Sequence, residues 1–453
     1  MNQRIIGIDL AVSGPHKAVV FNPASGEYIG KTMTFRSRSR ELDRVLKRAR
    51  ADGDEETQIV AMLEATGMSW HSVGQYLHRK GVAVYRVNGR LTKDLRKVFS
   101  RHVASDRIDS QVLAHLYQFM SNRLNQLEPP SGKLLALQRA CRESVRCREV
   151  STASQNRVRS YDQIAWNGLD KVVPANARPW FWQNWYNPWQ VLAAGEESLR
   201  THWTQASPKQ PADTDWIPTW LARAQEMIDL YGSPDVLGYH EFQQTILRQL
   251  DEQTHALSMR KMLLNQMIKP WYRQLFPDCQ LESIRGVALE SAAIYMAFIQ
   301  DIHRFSSVAH FRMWCGIVPA SKQSGMGESK GMSITKAGPN LIKATLFQNA
   351  DVARQWDVQM ASIYYKQMVN YGNHHTHAVC AVASHLANRI YAVLKHNRPY
   401  QVRDLDGDPI SESQSRELCL EHFTVPLEVR KRNNSRRRRL LNEDTIEERM
   451  HFA

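Results

Sequence analysis

The chain has 453 residues, 43% hydrophobic and 23% charged, which fits a folded protein of two or three domains and excludes a disordered or fibrous chain. Lys and Arg outnumber Asp and Glu by 59 to 45, and a net charge of +14 points to a polyanionic partner, nucleic acid first. Six scattered cysteines without a CxxC pair exclude zinc ribbons and a secreted disulfide framework, so reduced thiols and a cytoplasmic location are expected; no signal-peptide pattern or long apolar run predicts a membrane partner.

Residues 4–10 read as a strand, with 17–21 and 31–35 as its hairpin partners around the turn Asn22-Pro-Ala-Ser-Gly26. A polar helix over 39–50, a second central strand over 58–64, a helix over 69–80, a strand over 82–87 and a helix over 104–122 follow. Three strands and then alternating helix and strand predict a mixed sheet with flanking helices. From 126 to 280 glycine is sparse and helical periodicity dominates, most clearly over 133–157 and 239–271, which predicts a long helical, coiled-coil segment. Between those helices lie Trp166, Trp180, Trp182, Trp185, Trp189, Trp203, Trp216 and Trp220. Such rings either stack on unpaired bases or pin an irregular insertion to the helices; few basic residues interleave, which favours pinning. Residues 281–400 form another helical block, broken by a Gly/Ser/Lys-rich loop at 321–338. The tail holds Arg430-Lys-Arg432 and Arg436-Arg-Arg-Arg439, a run that is solvated or adds phosphate contacts. The fold class is α/β followed by all-α, in segments 1–125, 126–280, 281–400 and 401–453.

Four carboxylates carry the chemistry. Asp9 closes the run Ile5-Ile6-Gly7-Ile8, and Glu64 closes Ile59-Val60-Ala61-Met62-Leu63. An acid at the end of a buried strand is costly unless a cation meets it. Asp106 and Asp109 stand three apart on one helix face, with Ser105 as the N-cap. Together the four suit a hard divalent cation, Mg2+ by ligand type, and two-metal phosphodiester chemistry. The structural alternatives are a partly buried paired acid at Glu64 and helix N-terminal charge at Asp106 and Asp109. Asp9 is followed by Leu10-Ala-Val-Ser-Gly14, which is no nucleotide-binding turn. The loop from Gly316 to Asn340 mixes hydroxyls, glycines and lysines, a composition suited to close approach to phosphate. His374, His375 and His377 lack an accompanying carboxylate and read as a turn or a nucleic-acid contact rather than a metal site, and His102 and His115 flank the acidic pair.

The ordered set Asp9, Glu64, Asp106 and Asp109, followed by Pro319-Ala-Ser-Lys-Gln-Ser-Gly325 and Ile334-Thr-Lys-Ala-Gly338, resembles the DEDD-type insertion-sequence transposases. That family includes the Piv-like DNA invertases and the bridge-RNA-guided serine recombinases. The resemblance covers residues 4–122 and 281–400. It implies a RuvC-like (RNase H-like) domain whose four acids hold Mg2+, and a helical transposase domain whose serine, Ser324 by position, attacks the phosphodiester. It further implies donor and target DNA, a non-coding guide RNA, and a dimer or tetramer in which the acids of one protomer meet the serine of another. Lys322, Lys330, Lys336 and Lys343 are the candidate nucleic-acid contacts near that serine. Two places depart from the pattern: Ala104-Ser105 stands where Lys-Thr is usual, and Ile284-Arg-Gly286-Val-Ala288 stands where Pro-Gly-Ile-Gly is common.

The expectation is thus a transposase that cuts and rejoins DNA through a phosphoserine. Its rivals are a metal-dependent Holliday-junction-type nuclease using activated water, an invertase that needs no RNA, and a nucleic-acid-binding protein without activity.

Overall fold

The computed structural model describes residues 3–51, 53, 57–64, 67–87, 89–99, 105–121, 124, 126–207, 213–319, 323–324, 327–328, 334–335 and 338–435. The chain divides into two compact units, Met1–Ser131 and Gly132–Ala453.

The first unit is the predicted mixed sheet. Its strands are β1 (Gln3–Asp9), β2 (His16–Asn22), β3 (Glu27–Tyr28), β4 (Met33–Phe35), β5 (Gln58–Glu64) and β6 (Ala83–Val87). The order is β3-β2-β1-β5-β6, with β4 also paired to β2. β1 pairs antiparallel with β2 and parallel with β5, and β5 pairs parallel with β6. The strand expected at 31–35 is β4, which pairs with β2 rather than with β1, and a further short strand, β3, lies between the turns at Gly26 and Gly30, both with positive φ.

The helices of this unit are α1 (Ser39–Arg50), α2 (Ser69–Arg79), α3 (Gly89–Phe99) and α4 (Asp106–Met120). Strand alternation sorts their contacts. Ile6 and Ile8 of β1 join Ala61 and Leu63 of β5 in a core with Leu42, Val45 and Leu46 of α1 and Val73 and Leu77 of α2. Ile5 and Met62 point the other way, into a core with Leu113, Ala114 and Leu116 of α4 and with Leu91 and Leu95 of α3. Helix α3 falls in a stretch for which the sequence analysis assigned no element.

The second unit is helical: α5 (Gly132–Ala165), α6 (Leu169–Val172), α7 (Arg178–Asn184), α8 (Pro188–Ala206), α9 (Ile217–Tyr231), α10 (Tyr239–Met262), α11 (Lys269–Leu275), α12 (Leu289–Ile299), α13 (Val308–Cys315), α14 (Asn340–Ala353), α15 (Val358–Tyr365), α16 (His375–His396) and α17 (Glu412–His422). Helices α5 and α10 pack side by side and run in opposite directions. Ser154 donates to Glu252 at 2.8 Å, and at the other end Ser144 and Arg260 converge on Glu290. Between α10 and α11 one π-helical stretch, Leu263–Ile268, carries the bond from Lys269 N–H to the Leu264 carbonyl. A single core links α5, α12, α14 and α16 through Leu137, Cys141, Ala293, Leu346, Val382 and Leu386.

The tryptophans have their own core. Trp166 and Trp220 are fully buried, and Trp180 and Trp203 nearly so, packed with Phe181 and Tyr186. The Trp166 indole N–H donates to the Tyr186 carbonyl at 2.7 Å. The pinning reading holds for these four rings, which leave no face for a base to stack on.

Candidate active site

Sequence parity builds the acidic cluster. Asp9 follows Ile5 and Gly7 at period two, and Glu64 follows Met62, so both carboxylates lie on the α4 side of the sheet. The last paired rung of the two parallel strands is Ile8 with Leu63, which puts Asp9 and Glu64 next to each other at the carboxyl ends. Gly7 lets α4 approach: a Cβ there would lie 1.9 Å from the Ser110 carbonyl oxygen and 2.6 Å from Ala114 N. Asp106 is one helical turn before Ser110, on the strand-end side of that contact. Ser105 caps the helix, with Ile108 N–H donating to its hydroxyl at 3.4 Å.

The electrostatics report the same convergence. Burial, together with Asp106, Asp109 and Glu64, raises the Asp9 pKa to about 6, against the partial relief given by Arg96. Burial and Asp106 also raise Asp109 above the ordinary carboxylate range. The Glu64 carboxylate abuts the first residue of α3, because a Cβ on Gly89 would fall 2.4 Å from its Oε1. That placement sets a negative charge at a helix N-terminus, where the macrodipole favours it.

Arg96 of α3 is the residue the sequence analysis missed. Its Nε stands 3.0 Å from Asp109 Oδ1, with both side chains largely buried. The signal for its helix is present in Leu91 and Leu95, an i, i+4 apolar pair that packs toward α4.

The four carboxylates offer only hard oxygen donors, and their mutual repulsion is the deficit that a divalent cation removes. Asp109 Oδ1 is buried and receives no hydrogen bond. The donor set therefore fits Mg2+ in chemistry, although among the described residues no three acidic or other ligating side chains already stand close enough to hold an ion.

The downstream loop is a hairpin. Pro319 bridges Ile334, and Gln323–Ser324 pairs antiparallel with Gly327–Glu328, Ser324 facing Gly327 in register. Ser324 thus stands at the last rung before the turn. Gly338, at φ 75°, closes the base, where a Cβ would lie 1.7 Å from the Trp314 carbonyl oxygen. Lys343 lies half-buried in the first turn of α14. Lys322, Lys330 and Lys336 lie outside the described residues, as do His102 and the arginines 436–439.

Other candidates have structural duties. His115 packs against Phe21 and Phe99, and its Nε2 is 2.9 Å from the Tyr28 hydroxyl. His374 caps α16 by accepting from His377 N–H at 3.2 Å, and His375 meets the Tyr364 hydroxyl at 2.8 Å. At the turn compared above with Pro-Gly-Ile-Gly, Gly286 has φ 93°, and a Cβ there would sit 2.7 Å from the Asn349 carbonyl oxygen. That glycine serves close packing on α14.

Two family profiles match the chain. One, described as a transposase of the DEDD type, covers residues 6–163; the other, the transposase IS116/IS110/IS902 family, covers residues 279–366. The first includes all four acids and is consistent with a RuvC-like fold for the mixed sheet; the second includes Ser324. Among curated relatives, pilin gene-inverting proteins of Moraxella lacunata and Moraxella bovis are each 26% identical over 123 residues, which is 27% of this chain and 38% of theirs. An uncharacterized 43.6 kDa protein of insertion element IS110 from Streptomyces coelicolor is 26% identical over 123 residues, 30% of its length. The chain thus matches well under half of each relative.

Proposed function

Because the chain belongs to the IS116/IS110/IS902 transposase family, whose two profiles together span more than half of it, we propose that it is a DNA recombinase of a mobile element. The observation that carries this reading is the convergence of Asp9, Glu64, Asp106 and Asp109, expressed in an Asp9 pKa of about 6. When bound, Mg2+ at those four acids supplies Lewis-acid polarisation of a phosphoryl oxygen and neutralises developing charge.

Ser324 is the nucleophile in this reading. Its oxygen bonds to phosphorus as the bond from phosphorus to the leaving strand breaks, and that strand oxygen departs with the proton the serine gives up. The phosphoserine preserves the ester energy, so a strand hydroxyl re-forms the phosphodiester by the reverse exchange and releases the serine. No ATP is consumed. Lys322, Lys330, Lys336 and Lys343 hold the DNA phosphates near the hairpin. Donor and target DNA are the substrates, a guide RNA from the element selects them, and an even number of protomers serves the four strand ends in the cytoplasm.

The test is excision in cells that carry the intact element with its flanks. Amplifying the circular junction should succeed for wild type and fail for Ser324→Ala and Asp106→Asn, both expressed as folded protein. Circles from Ser324→Ala would remove the serine from the chemistry. Loss of circles on deleting the flanking non-coding segment, with the protein supplied in trans, checks the guide RNA.

A further inference from the structure

Arg96 has no role in the chemistry above, yet it is built into the acidic cluster. Its helix is fixed: Leu91 and Leu95 pack with Leu113 and Leu116 of α4 in the core beneath the site. From that base the guanidinium reaches Asp109, Nε to Oδ1 at 3.0 Å. The contact is one of charge alone, because Oδ1 accepts no hydrogen bond although it is buried. Arg96 also acts on Asp9, where it opposes the three neighbouring carboxylates.

We propose that Arg96 is a resident counter-cation: a positioning residue that holds Asp109 while the cluster is free of metal and is exchanged for Mg2+ when the site loads. This rests on the reading that the four acids bind Mg2+. A guanidinium only donates, and a cation takes the same carboxylate oxygens as ligands, so the two compete for Asp109. A long side chain on a fixed helix can vacate the carboxylate by rotamer change, with no backbone rearrangement. Arg96 offsets part of the repulsion among the four carboxylates before metal binds, at a cost in metal affinity.

The experiment is calorimetric titration of Mg2+ into the full-length, metal-free protein. Arg96→Gln should bind Mg2+ about tenfold more tightly, the scale of a largely buried single ion pair, and Arg96→Lys should fall between it and wild type. Metal-free Arg96→Gln should melt below wild type, with the gap closing in saturating Mg2+. Asp9→Asn should lose binding. If Asp9→Asn loses binding and Arg96→Gln binds no tighter than wild type, the counter-cation is wrong and the metal site stands. If Asp9→Asn binds Mg2+ like wild type, the metal site itself falls. Should Arg96→Gln not fold, Arg96→Lys decides, and an affinity equal to wild type overturns the proposal.

Discussion

Asp9→Asn should stabilise the metal-free protein. The isosteric amide keeps the strand end and removes one charge from a cluster of four. The carboxyl is raised from an ordinary 3.8 to about 6. Roughly two pH units correspond to ~3 kcal/mol as an upper bound, and partial exposure of the side chain reduces this to ~1.5 kcal/mol. The sign follows from proton binding. The folded protein holds the Asp9 proton more tightly than the unfolded chain does, so the wild type loses this stability as pH rises from about 4 through about 6. The variant's advantage is therefore complete at pH 8, about half as large at pH 5 and small at pH 4. In EDTA at pH 8, calorimetry should show the transition of the first unit raised by ~5 °C, and amide exchange should slow in β1 and α4. Added Mg2+ should raise the wild-type transition and leave the variant unmoved. A variant that melts at or below wild type at pH 8, or with the same offset at pH 4, would refute the argument that burial and the neighbouring carboxylates disfavour the Asp9 charge.

Three further outcomes follow from packing and burial. Gly7→Ala should cost more than ~3 kcal/mol, because a methyl group 1.9 Å from the Ser110 oxygen forces α4 off β1; urea unfolding measures it, and a loss below ~1 kcal/mol would mean α4 is loosely held. Trp220→Ala, at a fully buried ring, should lose ~3–5 kcal/mol in the same assay, and a near-neutral result would contradict its place in the tryptophan core. Burial lifts the Asp162 pKa to about 7, so its contribution favours folding at low pH and is lost as pH rises through about 7. Asp162→Asn, which still accepts from the Trp182 indole, should therefore raise stability by ~2 kcal/mol at pH 8 and little at pH 4; equal effects at both would show that Asp162 titrates normally.

Much of the acidic site was legible because it obeys short-range rules. Asp9 and Glu64 end apolar runs whose parity assigns their face, and Asp106 with Asp109 follows a good N-cap. What brings the helix to the strands was less legible. Gly7 reads in sequence as one small residue inside a strand, and only the 1.9 Å approach of Ser110 shows why nothing larger fits. Arg96 was missed because its helix follows β6 after a single residue and carries few apolar positions. The tryptophans were ambiguous because composition cannot tell a ring that packs from one that waits for a base. The short strand β3 depends on the turn at Gly30, whose positive φ no local pattern announced.

The π-helical stretch at Leu263–Ile268 holds one residue more than an α-helix of the same rise would. Every side chain beyond it is turned by about a third of a revolution from where uninterrupted winding would put it. Tyr272, fully buried with its hydroxyl toward Glu282, owes its inward direction to that offset. Winding the same residues as regular α-helix would turn Tyr272 out of the core, whereas removing one residue from the segment would restore the regular helix and leave Tyr272 facing inward. The irregularity is thus a phase adjuster, and the straighter rod would be the worse fit.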